Sequence, residues 1–312
     1  MGRGMAVVGV GAVGAVLAAG LVASDPETIL VTPSAAKRQA LMRDGLKVQG
    51  ALEFTARPQR VLASAAELAH DPPAAIFIAT KTFHLDRVLD DLAAVAGPQT
   101  ALVSCHNGLG AEDVIAQRFG RANTLRMSVN FGVALGGPGQ ARVAFFNRPN
   151  PLGALEPGDL GLARDLAGRL SAAGLDTEAV ADIKLPVWRK MIMKCTMANI
   201  CAVTDRTIRG CLDYPPTRQI AESCFAEILA VAKAMGYDLG PDYMTQALAY
   251  LDKVGEHKDS MCVDLANRTR TEIDFLGGKV VEYARECGLA VPYYETMTNL
   301  VRALEQSRLA GQ

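Results

Sequence analysis

The stretch Val7-Val8-Gly9-Val10-Gly11-Ala12-Val13-Gly14 most narrows what the chain around it can fold into. Met5–Val10 is short, apolar and β-branched, as a buried strand is. The alanine- and leucine-rich run that follows reads as a helix packed closely on that strand. A G-x-G-x-x-G turn between a strand and a helix is the setting in which this motif binds a dinucleotide. Gly9 permits the tight turn, Gly11 lets the backbone approach a pyrophosphate, and Gly14 lets helix and strand pack closely. The N–H groups at the helix start, around Ala12 and Val13, then face the phosphates. The same stretch carries no charge from Met5 to Ser24 and follows Arg3, which is also the look of an export signal. Gly9, Gly11, Gly14 and Gly20 would weaken such a helix. Neither export nor a membrane span is expected.

The rest of the composition agrees with a globular protein. The chain has 312 residues, half of them hydrophobic, enough for two domains with cores of their own. With 32 basic and 33 acidic residues the net charge is −1, which gives no reason to expect nucleic acid or an anionic membrane surface as a partner. Seven cysteines stand singly, without CxxC or zinc-type spacing. They read as reduced core thiols of a cytoplasmic protein, and no metal site is expected.

Apolar strands at Thr28–Thr32, Ala74–Thr80 and Thr100–Cys105 alternate with helical patterns at 34–45, 84–96 and 111–118, which predicts a parallel sheet covered on both faces. From about 124 to 156 the pattern changes to antiparallel strands with Gly/Pro turns. A helix near 160–173 and a strand near 176–181 close this half. Beyond about 184 the strand signals vanish. Pro186 stands at an expected first helical position. Thr271 and Asp274 resemble a capping pair for a helix that runs to about 287, with Gly288 beyond its end. The fold class is therefore α/β: a Rossmann-type doubly wound sheet over 1–183, then an all-helical domain over 184–312, with the site expected between them.

After the second strand, dinucleotide folds selective for NAD carry an Asp or Glu. Here the chain reads Val31-Thr32-Pro33-Ser34, with Lys37 and Arg38 following. Thr32 or Ser34 could donate to a 2′-phosphate and Lys37 could neutralise it, so NADP is expected and NAD stays open. Lys81 and Asn107 follow the third and fourth strands, where ligands of such sheets bind. Lys190 and Lys194 are four residues apart and share a face of an otherwise apolar helix.

Together these segments resemble the ketopantoate reductase family (2-dehydropantoate 2-reductases). The resemblance rests on VGVGAVG at the N-terminus, TKTFH at 80–84, HNGLG at 106–110, WRKMIMKC at 188–195 and DSMCVDLANRTRTEID at 259–274. It implies hydride transfer from NADPH to the keto carbon of a small 2-oxo acid, and a homodimer, as members of the family often form. It implies that Lys190 polarises or protonates the carbonyl oxygen and that Glu272 is its acidic partner in the active site, near the cofactor. It further implies that Ser260 binds the substrate carboxylate, and that Asn107 and Lys81 lie where cofactor and substrate meet. The chain departs from the family where asparagines are usual, at Lys194 and Ala198, with Asn199 one place later, and at Gly277-Gly278. Lys194 and Asn199 are taken as substrate-binding candidates. A second cation beside Lys190 suggests a substrate more anionic than ketopantoate. A related opine or hydroxy-acid dehydrogenase and a non-catalytic NAD(P)-binding sensor remain as alternatives.

Overall fold

The structure, a computed structural model, describes residues 4–156 and 160–310. Met1–Arg3, the basic start weighed above as part of an export signal, lie outside the described residues. The chain divides into two compact units. Met1–His106 and Ala111–Ile183 form the first, and Asn107–Gly110 joins Lys184–Gln312 in the second.

The first unit runs β1 (Met5–Val8), α1 (Ala12–Ser24), β2 (Ile29–Val31), α2 (Ala35–Asp44), β3 (Leu46–Gly50), β4 (Phe54–Ala56), β5 (Val61–Leu62), β6 (Ala75–Ile78), α3 (Leu85–Leu92), β7 (Ala101–Ser104), α4 (Ala111–Phe119), β8 (Thr124–Met127), β9 (Phe131–Gly137), β10 (Gln140–Phe146), β11 (Asn150–Ala154), α5 (Gly161–Ala172) and β12 (Thr177–Ala179). Eight strands form one sheet in the order β12-β11-β8-β7-β6-β1-β2-β5. From β5 to β8 all neighbours are parallel; β11 runs against β8. Strands β1, β6 and β7 are buried on both faces, which is why they read as unbroken apolar runs.

A second sheet, β4-β3-β10-β9, was not expected for residues 46–56. Its first strands are short, and β3 alternates buried and exposed side chains through polar residues, so no apolar run announces them. The antiparallel strands expected over 124–156 are divided between the two sheets. β9 and β10 pair antiparallel in the small one, while β8 and β11 extend the large one. The small sheet also explains α1. That helix packs on β1 and also on β3, β4, β9 and β10. Every residue from Gly14 to Val22 is therefore buried, and the helix has no polar face to show. Among the described residues no helix is long and apolar enough to cross a membrane.

The second unit is helical: α6 (Lys184–Thr204), α7 (Ile208–Leu212), α8 (Pro215–Ala234), α9 (Tyr243–Val254), α10 (Ser260–Ala266), α11 (Gly277–Glu286) and α12 (Pro292–Ala310). Helix α6 is its centre and packs on α7, α8, α10, α11 and α12. Pro186 is the third residue of α6, still within the first turn, where a missing N–H costs nothing. The capping pair expected at Thr271 and Asp274 does not form. The Thr271 hydroxyl accepts from Ile273 N (3.3 Å), at the start of a 3₁₀ turn, Ile273–Phe275, whose N-cap is Glu272. The Thr271 N–H goes to Glu305, and the Asp274 carboxylate accepts from Arg302 at 2.8 Å. Helix α11 starts afresh at Gly277 and ends as expected, with Gly288 at φ +67° beyond it.

Candidate active site

Register aligns the carboxyl ends of four strands in the first unit. Val8 pairs with Val31 and Ile78, and Ile78 with Ser104. The strand order reverses at β1, and such a reversal opens a crevice at the carboxyl ends of the strands. Gly9 stands there at φ +95° with its N–H on Val31 O (3.0 Å). A Cβ on Gly9 would lie 2.6 Å from Thr80 Cγ2, and one on Gly14 only 1.8 Å from Gly9 O. A Cβ on Gly11 would meet nothing within 4 Å. Gly9 and Gly14 are thus required by packing, whereas the room at Gly11 is left open. Helix α1 has no side-chain cap, so the first-turn N–H groups of Ala12, Val13 and Gly14 have neither a cap nor, by helix geometry, an intrahelical acceptor. Open space in front of uncapped helical N–H groups fits a pyrophosphate.

The basic residues after β2 fold over this turn. Ser34 Oγ accepts from Lys37 N (3.3 Å) and caps α2. Lys37 Nζ donates to Val10 O at 3.2 Å, and Arg38 donates to Thr32 O and Pro33 O at 3.0 and 2.7 Å. Thr32 is buried, with its N–H on Leu62 O. Lys81 follows β6 at half burial, and its carbonyl accepts from His84 N (3.0 Å).

Beside Thr80 lies a buried polar chain that the sequence did not disclose. Arg126 NH1 donates to Ser104 Oγ (2.9 Å) and faces Glu112 at 3.5 Å. Ser104 Oγ is 3.0 Å from His106 Nδ1, and His106 Nε2 is 3.5 Å from Thr80 Oγ1. Both ring nitrogens of His106 therefore stand against hydroxyl groups, each able to donate or accept. Burial, reinforced by the charge of Arg126, pushes the His106 pKa down to about 3, so the ring is neutral.

In the second unit, α6 carries the two lysines into different company. Lys190 Nζ donates to Asn107 Oδ1 at 2.8 Å. Lys194 Nζ donates to Asp259 Oδ2 at 2.5 Å and to Ser260 Oγ at 2.9 Å. The preceding turn of α6 is anchored: Trp188 stacks on Tyr237 with centroids 5.9 Å apart, and the Tyr243 hydroxyl donates to Arg189 O. The 107–110 segment is anchored too. Gly108 N donates to Met191 Sδ (3.2 Å), and Leu109 N to Phe275 O (2.8 Å). Phe275 closes the 3₁₀ turn that begins after Glu272, through its N–H on Glu272 O (3.0 Å). Lys190, Asn107 and the Glu272 turn therefore belong to one hydrogen-bonded assembly, and Lys194 with Ser260 stands one helical turn along.

Asn199 is not brought to this face. It is buried, donates to Thr298 Oγ1 (3.4 Å), and lies where a side chain on Gly277 would have to go, with its Nδ2 2.4 Å from that Cβ position. The presence of Asn199 and the lack of a side chain at Gly277 are thus one packing arrangement. Asp259, which takes Lys194, was missed. An Asp before a helix start is legible as an N-cap, and Asp259 Oδ1 does accept from Met261 N (2.9 Å). Its second partner is 65 residues away, and no spacing rule reaches that far.

Comparison with known proteins matches this architecture over nearly the whole chain. Residues 5–156 match the family model described as ketopantoate reductase PanE/ApbA, and residues 182–305 its C-terminal counterpart. A 2-dehydropantoate 2-reductase of Streptococcus pyogenes serotype M18 (strain MGAS8232) is 30% identical over 268 residues, covering 85% of this chain and 86% of its own. A ternary structure of D-mandelate dehydrogenase with NADH and anilino(oxo)acetate superposes with TM-score 0.88 at 26% identity, covering 98% of this chain and 99% of that one. A 2-dehydropantoate 2-reductase structure from Geobacter metallireducens GS-15 shares the fold, with TM-score 0.88 at 24% identity over 96% and 99% of the two chains. With both halves matched, and with a relative of this identity over most of its length, the chain belongs to the ketopantoate reductase family.

Proposed function

We propose that the protein reduces the keto group of a small 2-oxo acid with a nicotinamide dinucleotide, Lys190 acting on the carbonyl oxygen. The observation that carries this reading is the Lys190–Asn107 hydrogen bond, which fixes an ammonium group in a half-buried position within a family of reductases. When bound, the reduced nicotinamide supplies the hydride. Hydride addition to the carbonyl carbon builds negative charge on oxygen, so a preplaced ammonium stabilises the transition state more than the ground state. Lys190 then gives that oxygen a proton and recovers one from solvent, which leaves a 2-hydroxy acid. Asn107 spends its amide oxygen on Lys190, so its other capacity is donation from Nδ2, suited to a carbonyl or carboxylate oxygen. Ser260 is assigned to the substrate carboxylate. Glu272 is assigned to the active site through the turn that holds 107–110, and Lys81 to the cofactor side.

NADPH is the proposed cofactor, with NADH as the weaker alternative. The support is the lack of a carboxylate at Val31–Ser34, together with Lys37 and Arg38, whose charged ends lie against the loops that follow β1 and β2. D-mandelate dehydrogenase, by contrast, was solved with NADH. A substrate more anionic than ketopantoate loses its main support, because the Lys194 charge is answered by Asp259. We therefore propose a 2-oxo acid with one carboxylate, ketopantoate or an analogue of it.

The test is steady-state oxidation of NADPH and of NADH with a panel of 2-oxo acids, repeated with amines present. Turnover of a monocarboxylic 2-oxo acid, faster with NADPH, is expected. Nucleotide binding without turnover of any 2-oxo acid would indicate a sensor, and amine-dependent turnover an opine dehydrogenase.

A further inference from the structure

Lys194 is one helical turn from Lys190, yet the two ammonium groups are treated differently. Lys194 is held by Asp259 and Ser260 together, and the side chains of Lys194 and Asp259 are only 18% and 7% exposed. Asp259 is held in turn, since its second carboxylate oxygen accepts the Met261 N–H at 2.9 Å. The rotamer that meets Lys194 is therefore set by the start of α10, and the pair is formally neutral. Without Asp259 the same ammonium would stand beside Ser260 as an uncompensated cation in a partly desolvated position, where an attraction to an anion is screened less than on the surface.

We propose that Asp259 determines the charge class of the substrate: it cancels Lys194 and so restricts the site to 2-oxo acids with one carboxylate, and loss of its charge admits a second carboxylate at Lys194. The inference rests on the reading of Ser260 and Lys190 as the substrate site. Asp259 touches no substrate in this account. It is a positioning and charge-compensating residue that acts through Lys194.

Asp259→Asn is the informative change. Asparagine is as good an N-cap as aspartate, and its amide oxygen can still accept from Met261 N or from Lys194, so α10 keeps its start. The experiment compares 2-oxoglutarate with 3-methyl-2-oxobutanoate in the wild type, in Asp259→Asn and in Asp259→Asn/Lys194→Met. Both kcat/KM and ligand-induced shifts of the melting temperature of the NADP⁺-loaded protein are measured. Expected in Asp259→Asn is at least a tenfold rise in the dicarboxylate-to-monocarboxylate ratio, an effect of about the size of one partly screened charge contact. The gain should lie in KM rather than kcat, shrink with added salt, and vanish in the double variant. An unchanged ratio in Asp259→Asn overturns the inference, and so does a gain that survives Lys194→Met, because a loosened fold rather than the freed ammonium would then account for it. The melting shifts need no turnover. If no variant reduces any 2-oxo acid, the reductase reading falls while the ligand-binding arm still decides for or against Asp259.

Discussion

Lys190 and Lys194 occupy equivalent places on one helix face, and only their partners distinguish them. Lys190 donates to the Asn107 amide oxygen, and Lys194 donates to the Asp259 carboxylate. Lys190→Ala is accordingly expected to lower kcat by about 10²–10⁴-fold, the range for a lost general acid or oxyanion donor. Nucleotide affinity, measured by fluorescence titration, should hold. Lys190→Arg should recover little, since a guanidinium supplies the charge but not the proton. Near-normal turnover in Lys190→Ala would remove the role. His106 makes the opposite case of a titratable side chain that should not titrate in function. Its folded pKa is depressed from 6.5 to about 3 by burial, so the unfolded chain binds a proton that the folded chain refuses. Its contribution to stability is complete above pH 6.5 and is lost as pH falls from 6.5 toward 3, at up to about 1.4 kcal/mol per pH unit. Denaturant unfolding between pH 6.5 and 5, above the range where ordinary carboxylates titrate, should show this slope. His106→Asn should flatten it. The roles of Lys190, Ser260 and Glu272 were assigned from sequence because they sit inside contiguous motifs. The ties of Asp259 to Lys194 and of Arg126 to Ser104 were not, because they cross 65 and 22 residues.

At the scale of elements, the glycine turn joins two requirements that substitution can separate. Gly14 is demanded by packing: a methyl group there would meet Gly9 O at 1.8 Å. Gly14→Ala should cost at least the upper part of the ~1–3 kcal/mol typical of overpacking, read as a lower melting temperature. Gly11 has an ordinary backbone, at φ −86°, and no neighbour near its missing Cβ. Gly11→Ala should keep or slightly raise the melting temperature, by the ~0.4–1 kcal/mol gained from a less flexible unfolded chain. It should nevertheless weaken NAD(P)H binding, because the methyl group enters the space reserved for phosphate. Equal loss of stability in both variants would contradict this division of labour. The same turn shows what a sequence can convey at this scale. β1, β2, β6 and β7 are continuous apolar runs, and each was found at nearly its true limits. β3, β4 and β5 are short, alternating or half-exposed, and were passed over, although β3 and β4 build the sheet that buries the outer face of α1. The uncharged opening helix, which invites a membrane reading, is explained only once that second sheet is known.

For the whole molecule, the point that matters is that the second unit is discontinuous in the chain. A boundary near 183 is visible in sequence as the end of strand signals, but the four residues Asn107–Gly110 belong with the helices, and no local pattern says so. They supply Asn107 to Lys190, Gly108 to Met191 and Leu109 to Phe275, and Leu109 is only 2% exposed. A cut at 183 therefore does not divide the protein into two self-sufficient parts. It removes from the helical unit three hydrogen bonds, together worth about 1.5–4.5 kcal/mol at the usual net value for each, and a buried leucine worth about another 1.5–3 kcal/mol. The fragment 184–312 made alone should thus melt at a lower temperature than the intact chain or fail to fold cooperatively. A version in which a short linker joins residues 105–111 to the start of the helical unit should regain part of the loss. Leu109→Ala in that linked version should give the gain back. If the bare fragment 184–312 unfolds cooperatively at the temperature of the intact protein, the 107–110 segment is a passenger, and the positioning of Lys190 by Asn107 loses its structural basis.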